Sequence, residues 1–241
     1  MAVANQTCKA HPGCGLLAWF SPANINAKDL GKLERLIEHQ HHIQRKGYVI
    51  RAGDPLNFLY GVSSGSVKTC LTDKENRSRV TGFSLPGELV GVEGIYAGQH
   101  PCDSIALEDS ICCGIRFPDL LNLTKRIVEL QHYLLRVLSR KINRKHDLLV
   151  LLGNLDAEER VAQLLLGLSE RHVEIGNSPS HFHLSMSRRD IGSYLGLKVE
   201  TVSRVFTKLE SKYILTVNGK DIAILSPKGL CDIVSPQLLN Q

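Results

Sequence analysis

The period of the apolar residues changes along the chain. From Asp29 to Gln40, Leu30, Leu33, Leu36 and Ile37 fall on one face of a helix. After Gly47 the pattern shortens into β-type runs: Tyr48-Val49-Ile50, Phe58-Leu59-Tyr60, Ser66 to Leu71 and Ser104 to Leu107. Glycines recur between these runs up to about Phe117, which predicts a β-sandwich or roll. No glycine cluster here opens a helix, so P-loop and Rossmann readings lack their context. A long helix is predicted next, from about Leu120 to Leu152. In it Leu135, Leu138, Ile142, Lys145, Leu149 and Leu152 are spaced 3, 4, 3, 4, 3, a heptad seam suited to pairing two helices. The same spacing would serve a helix packed on its own domain. The seam reading gains from the helix's place between two regions of different composition. Lys145 is the charged member, which costs stability and tends to set register or limit association.

Asp156 to about Arg171 reads as a further helix with acids in its first turn, and Gly176 to Ser180 breaks it. Ser187 followed by Asp190 is a capping-box-like start. The helix it opens runs through Ile191 and Tyr194 to Leu195, and Gly196 ends it. A second helix runs from about Val199 through Leu209. Its Val202, Phe206 and Leu209 point inward, while Glu200, Ser203 and Arg204 share another face near its start. Then Ile214 to Val217, Asn218-Gly219 and Ile222 to Leu225 predict a hairpin. This is a helix-turn-helix followed by a wing, the layout that places a second helix in the DNA major groove. A helical hairpin with a solvated charged face is the plainer reading. The glycine turn, the base-facing trio and the wing together favour DNA. Arg204 can donate two parallel hydrogen bonds to guanine, Glu200 can accept from cytosine, and Ser203 can reach a base or a phosphate. Arg188, Arg189, Lys198 and Lys208 are then candidates for phosphate contacts.

Composition adds limits. Hydrophobic residues make up 43% and charged residues 22% of the 241, which excludes wholesale disorder and fibrous classes. No apolar run reaches the roughly 18 residues of a membrane span. The first residues show no basic start before an apolar core, so a soluble, cytoplasmic protein is expected. The net charge of +5 is mild, but its basic residues concentrate between Lys125 and Lys145 and between Arg188 and Lys220. Seven cysteines, an odd number, argue for reduced thiols rather than a disulfide framework. A thiol or metal enzyme built on Cys113 and a histidine is the rival class, but no nucleophile motif surrounds Cys113.

Residues 187–204, Ser-Arg-Arg-Asp-Ile-Gly-Ser-Tyr-Leu-Gly-Leu-Lys-Val-Glu-Thr-Val-Ser-Arg, closely resemble the recognition element of the bacterial CRP/FNR family of regulators. They are most similar to the FNR branch, which reads DNA with a Val-Glu-Thr-x-Ser-Arg helix start. Gly82 to Gly91 and Gly98 to Pro101 resemble the family's β-roll, and Asn154 to Arg171 its linking helix. The resemblance implies an α+β chain with a cyclic-nucleotide-binding-type β-roll, a long dimerisation helix and a C-terminal winged helix-turn-helix. Its expected parts are an N-terminal cysteine-containing segment (1–28), a β-roll sensor (29–119), a dimerisation helix (120–152) and a winged-helix domain (153–241). It implies a homodimer on a two-fold symmetric double-stranded DNA site, regulating transcription, often as an activator that contacts RNA polymerase. It adds Thr201 to the DNA-binding set of Glu200, Ser203, Arg204, Arg188, Arg189 and Lys198.

Family members that bind cyclic AMP grip its phosphate with an Arg-Ser pair. Here the matching stretch is His100-Pro101-Cys102-Asp103, which has no arginine, so cyclic AMP is not expected. FNR-type members bind an oxygen-labile iron–sulfur cluster of the 4Fe-4S type. The resemblance assigns Cys8, Cys14 and Cys113 as ligands, since thiolates are soft, charged donors suited to iron. The first cysteine of the family's N-terminal trio has no match, so the fourth ligand is open among His11, Cys112, Cys102, a carboxylate and an exogenous group. A family member with no cluster, responding to another small effector or constitutive, is the alternative. Cys70 and Cys231 read as apolar fillers. His39, His41 and His42 read as a polar loop after a helix rather than a metal site.

Overall fold

The computed structural model describes residues 27–234, and the chain divides into two compact units, Met1–Ile142 and Asn143–Gln241. The proposed ligands Cys8 and Cys14 lie outside the described residues.

In the first unit, helix α1 (Ala27–Glu34) leads into strand β1 (Ile37–Ile43). The helix expected as far as Gln40 therefore stops early, and His39, His41 and His42 lie in a strand rather than a loop. The reason is a partner distant in sequence. β1 pairs antiparallel with β8 (Ser110–Arg116), bringing Gln40 opposite Cys113 and His41 opposite Cys112. This pairing overrides the local helical period. Leu33 is buried, and Leu36 and Ile37 pack in the same cluster, so the apolar face survives the change of backbone.

The remaining strands are β2 (Tyr48–Ile50), β3 (Phe58–Ser64), β4 (Val67–Thr72), β5 (Ser78–Ser84), β6 (Leu89–Val90) and β7 (Asp103–Ala106). They form two four-stranded sheets, ordered β1-β8-β3-β6 and β2-β7-β4-β5, with antiparallel pairs throughout. The expected β-roll is thus present. Successive side chains of β8 point to opposite faces. Cys112 packs with Ile50, Val62, Val67 and Val90, whereas Cys113 packs with Leu33, Leu59 and Ile115. Cys70 is also buried, as an apolar filler would be.

The helix expected from Leu120 to Leu152 is two helices, α2 (Phe117–Thr124) and α3 (Val128–Asn154). The Thr124 hydroxyl donates to the Leu121 carbonyl, and the amides of Arg126 and Ile127 both donate to Leu123. These bonds close α2, and Ile127 turns into the core beside Leu120 and Leu130.

The second unit opens with α4 (Ala157–Glu174). Asp156 caps it in a full capping box with Glu159, satisfying amides that the first turn leaves unpaired. Strand β9 (His181–His183), α5 (Arg188–Leu195), α6 (Val199–Ser211), β10 (Leu215–Asn218), β11 (Asp221–Ile224) and α7 (Pro227–Ile233) follow. The wing is a three-stranded sheet ordered β10-β11-β9. Asn218 and Asp221 pair, so the hairpin loop is Gly219-Lys220, one residue later than the Asn-Gly pair suggests. Gly219 takes the left-handed conformation the tight turn needs (φ +62°).

Candidate nucleic-acid interface and sensor thiol

α5 begins where Ser187 and Asp190 cap each other: the Ser187 hydroxyl accepts from the Asp190 amide, and the Asp190 carboxylate accepts from the Ser187 amide. Gly196 ends the helix in the left-handed region (φ +65°), and its amide donates to Gly192. The turn is tight. A Cβ on Gly192 would stand 2.6 Å from the Leu197 carbonyl oxygen, so the position has no room for a side chain.

α6 shows two faces. Val202, Val205, Phe206 and Leu209 are buried, which fixes the helix on its own unit. Glu200, Ser203 and Arg204 are exposed together on the other side. The Ser203 hydroxyl donates to the Val199 carbonyl at 3.0 Å, and an Arg204 guanidinium nitrogen donates to the Thr201 hydroxyl at 3.4 Å. Arg189 and Lys198 are exposed beside them.

Two expected phosphate contacts sit differently. The Arg188 guanidinium lies over the Phe206 ring, 3.4 Å from its centroid, so it helps hold α5 to α6. Lys208 forms an ion pair with Glu158 of α4, as does Lys212 at 2.7 Å. The Lys208 ammonium is thereby held against α4 while its side chain stays about half exposed. Burial works to raise the Glu158 pKa, but the bonds from both lysines outweigh it and hold the carboxyl below its usual range.

Arg160 is a residue the sequence reading missed. Its Nε donates to Leu155 O at 2.9 Å, Nη1 to Leu195 O at 3.0 Å and Nη2 to Leu152 O at 3.0 Å. The one signal available in sequence was its place. A cation in the first turns of a helix opposes the helix dipole and needs a reason.

In the first unit, Cys113 is wholly buried on the sheet face that α1 covers through Leu33. This is the helix that directly follows the cysteine-containing segment. Cys112 looks into the roll, where burial pushes its thiol up to about 11 and disfavours the thiolate that iron requires. Cys113 is as deeply buried as Cys112, on the other face of the strand, and Cys102 is half-buried. Among the described residues no three histidine, cysteine or carboxylate groups come together to hold a metal. Near the Gly82 to Gly91 segment, His100 is buried with its ring against Gly91 and Gly94. It lines a cavity of about 200 Å³ with Asp54, Asn57, Phe58 and Tyr60. That lining offers a carboxylate and no arginine, which disfavours a cyclic nucleotide phosphate.

On α3, Leu135, Ile142 and Leu149 are 56%, 54% and 67% exposed, so a seven-residue stripe is left uncovered within the chain. Leu138 departs from the expected seam and packs on the core of the first unit. Among the described residues no helix is long and apolar enough to cross a membrane.

A Crp-like helix-turn-helix domain model matches residues 159–233, and a cyclic nucleotide-binding domain model matches residues 40–126. The chain is 38% identical over 227 residues to the anaerobic regulatory protein of Pasteurella multocida, covering 94% of this chain and 83% of that one. It is 36% identical over 227 residues to the fumarate and nitrate reduction regulatory protein of Escherichia coli, covering 94% and 91%. The solved structure of FixK2 from Bradyrhizobium japonicum superposes with a TM-score of 0.74 at 27% identity, covering 82% of this chain and 97% of that one. Those regulators, the two matching domains and the helix-turn-helix with its exposed trio leave one assignment: the chain belongs to the CRP/FNR family, in its FNR-like branch, as a DNA-binding transcription regulator and not an enzyme.

Proposed function

We propose that the protein acts as a homodimer that reads a two-fold symmetric DNA site and is switched by oxygen or redox state. The observation that carries the DNA part is the two-faced helix α6, closed behind by Val202, Phe206 and Leu209 and open in front at Glu200, Ser203 and Arg204. Arg204 pairs with a guanine, Glu200 accepts from a cytosine amino group, and Ser203 contacts a base or phosphate, with Thr201 holding Arg204 in place. Arg189 and Lys198 reach phosphates, and Arg188 does so from its seat on Phe206. The stripe of Leu135, Ile142 and Leu149 pairs two copies, with Lys145 limiting how tightly they associate. The bound dimer acts as an activator through RNA polymerase.

Cys8, Cys14 and Cys113 are the proposed ligands of a 4Fe-4S-type cluster, which when bound supplies oxygen-labile iron chemistry. The packing of Cys113 in one cluster with Leu33 of α1 supports this, and so does the likeness to the anaerobic regulatory protein of Pasteurella multocida. Cys113 anchors the sheet end of the site, and α1 carries the segment bearing the other two thiols. The linkage needs a few kcal/mol of preference between two states of the dimer. The cavity beside His100 favours a second reading, an effector held in the roll without a cluster.

Iron and acid-labile sulfide are measured on protein purified without oxygen, with a visible spectrum. Stoichiometric iron and sulfide with absorption lost in air support the switch. Colourless, iron-free protein that still binds DNA sinks it and leaves DNA reading intact.

A further inference from the structure

We infer that Arg160 is a positioning residue that sets which spacing of DNA half-sites the dimer accepts. The inference rests on the dimeric, DNA-reading function proposed above. Its three guanidinium bonds end on three places in the fold. Leu152 O belongs to the last turn of α3, Leu155 O to the connection between α3 and α4, and Leu195 O to the last residue of α5. Two of these carbonyls lie at helix C-termini, where they lack intrahelical partners and where the helix dipole favours a cation. The guanidinium is planar, with donors in a fixed fork, so one side chain holding both helix ends also fixes the angle between them.

The junction is close-packed. A Cβ on Gly196, just after α5, would stand 3.4 Å from Leu152 Cδ2 and 3.6 Å from Arg160 Nη1. The other helix of the motif is fastened to the same turn of α4, since Glu158 holds Lys208 and Lys212 of α6. The start of α4 thus grips α6 through an acid and α5 through a base, and Arg160 carries the grip on to α3. The part of α3 inside the second unit bears Leu149, a member of the stripe proposed to pair the two copies. The place of each recognition helix relative to the two-fold axis then follows from the angle that Arg160 holds. Loss of its fork leaves each half-site reader intact and lets the two readers shift relative to each other.

The test uses the full-length protein and a symmetric DNA site selected by the wild type from random sequence. One base pair is inserted between the half-sites, or one removed, turning one half-site by about a tenth of a helical turn against the other. The wild type is expected to lose about ten-fold or more in affinity, because protein or DNA must twist to restore both contacts. Arg160→Gln is expected to lose less than about three-fold on the same change, while keeping the wild-type penalty for replacing a base inside a half-site. Arg204→Ala is the converse control: it weakens base discrimination and keeps the spacing penalty. A full ten-fold spacing penalty in Arg160→Gln overturns the inference. Absence of site-selective binding by the wild type sinks the DNA-reading function instead. Should Arg160→Gln fail to melt cooperatively, Arg160→Lys, which keeps charge and stem but not the fork, is measured and judged by the same penalty.

Discussion

Glu200, Ser203 and Arg204 stand in solvent on a helix whose other face is sealed by Val202, Phe206 and Leu209. Cys113 stands on a strand, fully buried in a core cluster that also draws residues from α1, β3 and α2. One unit exposes its chemistry on a rigid support, ready for a ligand that arrives from outside. The other encloses its thiol in a core. A reader of DNA has to present a fixed pattern of donors before its target arrives. A sensor gains from a group whose surroundings must alter before it is reached. Charged residues fasten elements together in both units. In the second unit Arg160, Glu158, Lys208 and Arg188 act as internal fastenings between helices. In the first, Lys141 of α3 meets Glu93 at 3.4 Å.

The contrast can be tested at several strengths. The largest effect is expected from Phe206→Ala, which removes both the seal of α6 and the seat of Arg188. It should cost about 3–5 kcal/mol in the second unit. Denaturant unfolding followed by a probe in each unit would show it, and equal loss in both units would break the picture of separate supports. Arg204→Ala should cost about 1–3 kcal/mol of site-specific binding, relax one base position and leave the melting temperature unchanged. Titration against a site and its single-base variants measures this. Unchanged binding would count heavily against the exposed trio as the reader. Ser187→Ala removes one cap of α5 and should lower stability by about 1 kcal/mol. Calorimetry would register it as a small shift of one transition.

The smallest effect concerns His172. Its ring stacks on Phe182 with centroids 4.9 Å apart, and its Nδ1 is buried with no hydrogen-bond partner among the described residues. Burial, aided by Arg171, lowers its pKa below 6.5, so the folded state favours the neutral ring. The stability it contributes is present above pH 6.5 and is lost as the pH falls through the lower folded value. Melting of the second unit between pH 7.5 and 5 should show this decline, and His172→Phe should reduce it. An identical pH profile in the variant would remove His172 from the account.

The second unit was largely legible in sequence because its signals are local. Ser187 and Asp190, Gly196, and the Gly219 turn each act within a few residues of themselves. The strand β1 was not legible, since Gln40 and His41 owe their conformation to Cys113 and Cys112 on β8. The break between α2 and α3 escaped for a related reason: Ile127 leaves the helix to fill a core built from other elements. Among the site residues, the exposed trio followed from helical spacing. The Arg160 bond to Leu195 and the Lys208 pair with Glu158 did not, because those partners lie 35 and 50 residues away. Cys113 as a cluster ligand came from resemblance, and the fold adds its address beneath α1.

Cys112 and Cys113 are neighbours in sequence and face different interiors. They are therefore two clocks in one strand. A thiol reagent can reach Cys113 only when the helices lift from the sheet, and Cys112 only when the roll itself opens. The order in which a mass spectrometer finds them labelled reports which layer of the first unit loosens first.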